Sequence, residues 1–147
     1  MFNKFFYIFL TFSLLNTQLF SQVIDLDKAI NKLKTNNKTL MIYLHKTGCP
    51  YCERLEEFTF DDDKVAAYMK KHFVLLSFNA SIKKDKVVYK KEWFSNKKFG
   101  EHLGYDFYPV VLFINKKGEI IQTALGYIEE DQFLTILHEA ASKSNKE

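Results

Sequence analysis

Short apolar runs alternate along the chain with longer stretches in which apolar residues recur every three or four positions. Thr39-Leu40-Met41-Ile42-Tyr43-Leu44 and Phe73-Val74-Leu75-Leu76-Ser77-Phe78-Asn79 are too brief for helices and predict two buried strands, the first running on to about His45. Ahead of them, Ile24, Leu26, Ala29, Ile30 and Leu33 recur at near-helical spacing, with Asp25 or Asp27 as the cap. Leu55 and Phe58 stand among the charges of Glu53-Arg54-Leu55-Glu56-Glu57-Phe58 and predict a surface helix. Asp61-Asp62-Asp63 offers fresh caps for a further helix ending near His72. Strand, helix and strand in that order predict a parallel crossover.

The second half reads similarly. Asn96 to Leu103 predicts a short helix ending at Gly104. Pro109 to Asn115 is a third strand, Lys116-Lys117-Gly118 a tight turn, and Glu119 to Ala124 a fourth, antiparallel strand. Glu129-Glu130-Asp131 opens a last helix with Phe133, Ile136, Leu137 and Ala140 as its buried stripe. Ala80 to Phe94 breaks the pattern: Lys83-Lys84-Asp85-Lys86 reads as an exposed loop, and Val87, Val88, Tyr89, Trp93 and Phe94 as the apolar anchors of an insertion. The expected fold is α/β, a central mixed sheet of about four or five strands flanked by helices.

The 147 residues suffice for one core, and 47% hydrophobic content argues for a globular fold. A net charge of +3, with lysines scattered among nearly as many acids, supplies no concentrated basic face, so nucleic acid is not an expected partner. The first residues change the picture more. Lys4 precedes a mostly apolar run from Phe5 to Leu15, and small Ser21 closes the segment, so residues 1–21 read as a signal peptide. The run is short for a membrane span, although Leu19 makes the cleavage site imperfect and leaves an uncleaved anchor as the alternative. Either way the rest is exported, to the periplasm or beyond. One domain is expected over residues 22–142, followed by a polar tail over 143–147.

The only two cysteines, Cys49 and Cys52, lie where the first strand gives way to a helix, the setting of a redox dithiol. As a structural staple the bridge would close too short a loop to remove much chain entropy. At the first turn of a helix, Cys49 is placed to become a stabilised thiolate, with Pro50 suited to the first helical position. Cys52 then resolves the mixed disulfide, and the exchange needs no metal or organic cofactor. Lys46 favours the thiolate, while Glu53, Glu56 and Glu57 oppose it. The competing reading is a copper or zinc site in which His45 joins the two cysteines, although a structural zinc site wants a fourth ligand.

Together with Tyr108-Pro109 before an apolar strand and the Asn115–Gly118 turn, the Cys-Pro-Tyr-Cys motif resembles the thioredoxin superfamily over nearly all of Val23 to Ala141, and among its members the exported bacterial thioredoxin-related proteins. The resemblance implies a protein-disulfide oxidoreductase of thioredoxin-like fold. It implies Cys49 and Cys52 as the catalytic pair, tuned by Pro50, Tyr51 and Lys46. It also implies a cis Tyr108–Pro109 bond beside Cys49, with Tyr108 and Pro109 receiving an extended substrate chain. On the residues alone, Pro109 equally suits the start of a strand. The expected partners are exported proteins with thiols or disulfides and a membrane redox partner, met by a monomer. Thioredoxins carry a buried acid six residues before the first cysteine. Here that residue is Tyr43, either a satisfied core tyrosine or a hydrogen-bonding substitute in proton transfer. A reductive or interchange direction is favoured, since the chain has no room for an inserted helical domain between Asn79 and Tyr108.

Overall fold

From Thr39 to Leu44 every residue is buried, and the rest of the molecule is layered on this strand. The computed structural model describes residues 21–146. In chain order its elements are β1 (Val23–Asp25), α1 (Leu26–Leu33), β2 (Thr39–His45), α2 (Pro50–Arg54), a π-helical stretch (Leu55–Phe60), α3 (Asp63–His72) and β3 (Phe73–Asn79). There follow β4 (Lys86–Tyr89), β5 (Glu92–Ser95), α4 (Asn96–His102), β6 (Val110–Ile114), β7 (Ile120–Leu125) and α5 (Glu130–Asn145).

The main sheet has the order β3-β2-β6-β7. β2 runs parallel to β3, with Thr39 opposite Phe73 and His45 opposite Asn79, and antiparallel to β6. The mixed sheet and the crossover therefore match the sequence expectation. A strand covered on both faces needs apolar residues at every position, which is why β2 and β6 read as continuous runs. Successive side chains still alternate between faces. Met41 and Tyr43 join Phe73, Val111, Phe113, Phe133 and Leu137 under α3 and α5. Leu40, Ile42 and Leu44 join Phe78, Phe99, Leu112 and Ile114 on the opposite side. β3, expected to be buried, departs from this. It is an edge strand, its residues alternate in exposure, and Leu75 is 43% exposed.

Three further differences have local causes. Val23 to Asp25 forms a strand ahead of the first helix, paired in parallel with β4, which itself forms a hairpin with β5. Residues 80–85 lie outside any strand, but Lys86–Ser95 is the hairpin of a second, three-stranded sheet (β1-β4-β5), and of the expected anchors Val87 and Tyr89 are buried while Trp93 is exposed. Asp25 caps α1 through Lys28 N at 2.9 Å, while Asp27 accepts from Lys90 N and Lys91 N, both at 2.9 Å, and clasps the hairpin turn. After α2 the wider π turn changes which residues face inward. Leu55 and Thr59 are buried, Thr59 Oγ1 donating to Ile128 O at 2.6 Å, and Phe58 is 52% exposed. Finally, α5 takes up the expected tail as far as Asn145 and buries Ser144.

The targeting segment read at residues 1–21 lies, apart from Ser21, outside the described residues. Among the described residues no helix is long and apolar enough to cross a membrane.

Candidate active site

The loop between β2 and α2 carries Lys46, Thr47 and Gly48, and its shape is fixed by neighbours far away in sequence. Asn79, at the end of β3, donates through Nδ2 to Thr47 Oγ1 at 3.0 Å and accepts through Oδ1 from Ser81 N at 2.9 Å. Thr47 N donates to Ser81 Oγ at 3.2 Å, and Asn96 Nδ2 donates to Asn79 O at 3.0 Å. Gly48 then takes φ +69, a left-handed conformation that glycine adopts without strain, and turns the chain into the helix.

Cys49 is the cap of α2 and Pro50 its first residue. The Cys52 backbone N–H is shared between Cys49 O at 3.0 Å and Cys49 Sγ at 3.2 Å, so an amide of the first helical turn points at this sulfur. Cys49 and Cys52 form a disulfide with their Cα atoms 5.2 Å apart. The two ends of that bond are unlike: Cys49 is half-buried, whereas Cys52 is 2% exposed. Across from them the Tyr108–Pro109 peptide is cis, and the Tyr108 carbonyl oxygen lies 3.8 Å from Cys49 Sγ. Pro109 is buried and Tyr108 half-buried; burial, with Glu101 and Asp106 nearby, raises the Tyr108 phenol above its ordinary value. Tyr51 projects from the motif at 60% exposure, and Phe107 is 44% exposed just before Tyr108. The structure therefore brings Cys49, Cys52, Tyr108 and Pro109 together. Lys46 is exposed and makes no ion pair among the described residues.

Behind the disulfide lies an arrangement that sequence reasoning only half saw. Tyr43 is 3% exposed, and its hydroxyl donates to Glu56 Oε1 at 2.8 Å while lying 3.4 Å from Cys52 O. His45 stacks on Tyr43 with ring centroids 4.7 Å apart; its Nδ1 is 3.7 Å from Glu56 Oε1 and its Nε2 2.9 Å from Ser77 Oγ. Tyr43 is thus a hydrogen-bonded core tyrosine. Burial, reinforced by Glu56, pushes its phenol far above the ordinary range. Burial also lowers the His45 imidazole, and Glu56 partly opposes that shift. Glu56 reads in the sequence as one of three similar acids. Its position one helical turn beyond Cys52 was the available signal. Among the described residues, no three His, Cys, Asp or Glu side chains are grouped to hold a metal.

A family model for the thioredoxin-like domain matches residues 26–141, most of the chain. The chain belongs to the thioredoxin-like domain family. The solved structures agree on the fold. A thioredoxin from Thermus thermophilus shares 19% identity, with a TM-score of 0.65, over 84% of this chain and 89% of its own. A putative disulphide-isomerase from Bacteroides thetaiotaomicron shares 25% identity, with a TM-score of 0.57, over 82% of this chain and 88% of its own. The C-terminal domain of Neisseria meningitidis DsbD, in its oxidised form, shares 16% identity, with a TM-score of 0.60, over 82% of this chain and 99% of its own. Among curated proteins, none matches the chain. For a thioredoxin-like domain, the disulfide at a helix N-terminus opposite a cis proline is where exchange chemistry is to be sought.

Proposed function

We propose that this protein is an exported thiol:disulfide oxidoreductase that uses the Cys49/Cys52 couple on protein substrates, in a reductive or interchange direction. The observation that carries the reading is the inequality of the two sulfurs. Cys49 is the accessible one, with a helix-start N–H aimed at it, and the buried Cys52 is within bonding reach. An N–H donor and the helix dipole favour the thiolate of Cys49, which attacks a substrate disulfide. Cys52 then displaces the substrate thiol and regenerates the intramolecular bond. The backbone of Tyr108, beside Cys49, offers a place for the substrate's extended chain, flanked by exposed Tyr51 and Phe107. The relative at 25% identity described as a putative disulphide-isomerase supports the reading, and the apolar N-terminal run supports export. The direction rests on the absence of an inserted helical domain: the chain from Asn79 to Tyr108 is spent on a hairpin and α4. Exported proteins bearing disulfides and a membrane redox protein are the proposed partners.

Two measurements test this. Cys52→Ser is expected to accumulate mixed disulfides with protein substrates through Cys49, and failure to trap any would count against the reading. The reduction potential of the couple is expected toward the thioredoxin end of the range, about −270 mV, and a value near about −120 mV would overturn the reductive direction.

A further inference from the structure

The three-stranded sheet buries one face and leaves the other to solvent. Ile24, Val87 and Phe94 stand in register across β1, β4 and β5 and pack toward the core. Strand side chains alternate, so their neighbours Val23, Asp25, Lys86, Val88, Trp93 and Ser95 share the opposite face. Val88 lies directly across from Trp93 and diagonally from Val23, which gives this face an apolar band with Val23 54% and Trp93 64% exposed. A lone exposed aromatic is ordinary on a protein surface; a band on an open sheet face with lysines at both ends is not. Lys83, Lys84 and Lys86 stand where β4 begins, and Lys90 and Lys91 at the hairpin turn. All five are exposed, and none enters an ion pair among the described residues. The chain's net charge of +3 hides this local excess, since positions 83–92 hold five lysines against the two acids Asp85 and Glu92. At the turn end Lys90 also shares a cleft with Lys34, Lys116 and Lys117.

The chain enters the domain at this same place. Ser21 Oγ donates to Lys84 O, Gln22 N donates to Asp85 Oδ1 at 3.0 Å, and Lys86 N donates to Gln22 O at 2.9 Å. Five residues separate this entry from the apolar run Phe5 to Leu15, a reach of at most about 20 Å even when fully extended. A bilayer that holds the run is therefore within reach of the lysine loop. Lysine, with an apolar stem under its charge, and tryptophan, with an apolar body and a polar N–H, are side chains that settle at a headgroup boundary. Each lysine near an anionic lipid surface strengthens attachment by about fivefold. We propose that this face docks on a bilayer of anionic phospholipid, with Val23 and Trp93 entering the headgroup layer and the lysines meeting lipid phosphates. The docking is independent of the exchange chemistry, because the face carries neither cysteine nor the cis proline.

Trp93 is the single tryptophan of the chain, so its fluorescence reads the face directly. The full chain is mixed with vesicles of phosphatidylcholine alone or of phosphatidylcholine with phosphatidylglycerol. The apolar run can enter either kind, so a difference between them belongs to the lysines. On the anionic vesicles alone, Trp93 emission is expected to shift to the blue and to be shielded from acrylamide. Raising the salt from about 0.1 M to about 1 M, which shortens the screening length from about 10 Å to about 3 Å, should reverse both changes. The double variant Lys83→Glu, Lys86→Glu is expected to need at least about tenfold more anionic lipid for the half-maximal shift, with its unfolding midpoint and exchange activity unchanged. Trp93 emission indifferent to anionic vesicles would overturn the proposal, as would equal shifts on the two lipids or a shift that the double variant keeps in full. A shift that appears without lipid and grows with protein concentration would give the face to a second copy of the chain, and overturn it too. None of these outcomes touches the oxidoreductase reading, which is tested by trapping of protein substrates with Cys52→Ser.

Discussion

In the four-stranded sheet, β2 and β6 are buried along nearly their whole length, and each face is closed by helices. In the three-stranded sheet, no strand exceeds four residues, Trp93 on β5 is 64% exposed, and much of the ordering comes from polar contacts such as the Asp27 clasp on Lys90 and Lys91. The disulfide belongs to the first region, at the end of β2 where α2 begins. The difference teaches that the chemistry sits on the sheet whose central strands are buried almost throughout. The other joins the core through Val87 and Tyr89 of β4 and carries neither cysteine nor the cis proline. Six substitutions break or sharpen that contrast.

The largest effect is expected at the first region's edge. Cys49→Ser removes the attacking sulfur and should lower disulfide-exchange activity by about a thousandfold or more, as loss of a nucleophile does elsewhere. Activity assays on protein disulfides check this, with the unfolding midpoint of the reduced protein as control. A midpoint that stays near the parent's would separate chemistry from folding. Next comes the core. Phe113 is fully buried and packs its ring against Phe73 at 5.4 Å, so Phe113→Ala should cost about 3–5 kcal/mol. Val87, the fully buried residue of β4, loses less volume, and Val87→Ala should cost about 2 kcal/mol. Denaturant unfolding of both variants measures the gap. Equal costs would mean that the small sheet is as tightly built as the large one.

How much of this was legible follows the same division. β2, β6 and the cysteine pair are visible because a strand buried on both faces must be apolar throughout, and because two cysteines one helical turn apart have few other readings. The β4–β5 hairpin was not legible. Its turn uses Lys90 and Lys91 at positive φ, where sequence reasoning looks for Gly or Asn, and its partner β1 lies more than sixty positions earlier. The π turn over Leu55–Phe60 was not legible either, since no residue pattern announces it, and it leaves Phe58 exposed. The Tyr43–Glu56 contact was hidden differently: each residue had an ordinary reading alone, a core tyrosine and a surface acid, and only the fold puts them 2.8 Å apart.

A smaller effect is expected at the clasp. Asp27 accepts two backbone N–H bonds at 2.9 Å, and hydrogen bonds to a charged acceptor contribute about 1.5–3 kcal/mol. Asp27→Ala should therefore loosen the hairpin while leaving the exchange activity at its parental rate. Amide hydrogen exchange is the discriminating measurement. Faster exchange confined to β4 and β5, with β2 and β6 unchanged, is the expected result, because regions that open locally do so as cooperative units. Faster exchange throughout would show that the two sheets open together.

The smallest effect concerns the turn itself. Lys90 at φ 51 and Lys91 at φ 66 are the non-glycine residues in the left-handed region among those described. A side chain there crowds the following carbonyl at a cost of about 1–2 kcal/mol, whereas glycine has no Cβ to crowd but loses about 0.5–1 kcal/mol more chain entropy on folding. The two terms nearly cancel, so Lys91→Gly should stabilise by only about 0.5 kcal/mol. Lys91→Val adds a branch at Cβ where the backbone tolerates it least and should move stability the other way by a larger amount. The pair straddles the parent, and unfolding midpoints give the sign of each. A Lys91→Gly protein less stable than the parent would mean that the lysine side chain itself contributes to the turn, and that the small sheet is held by more than Asp27.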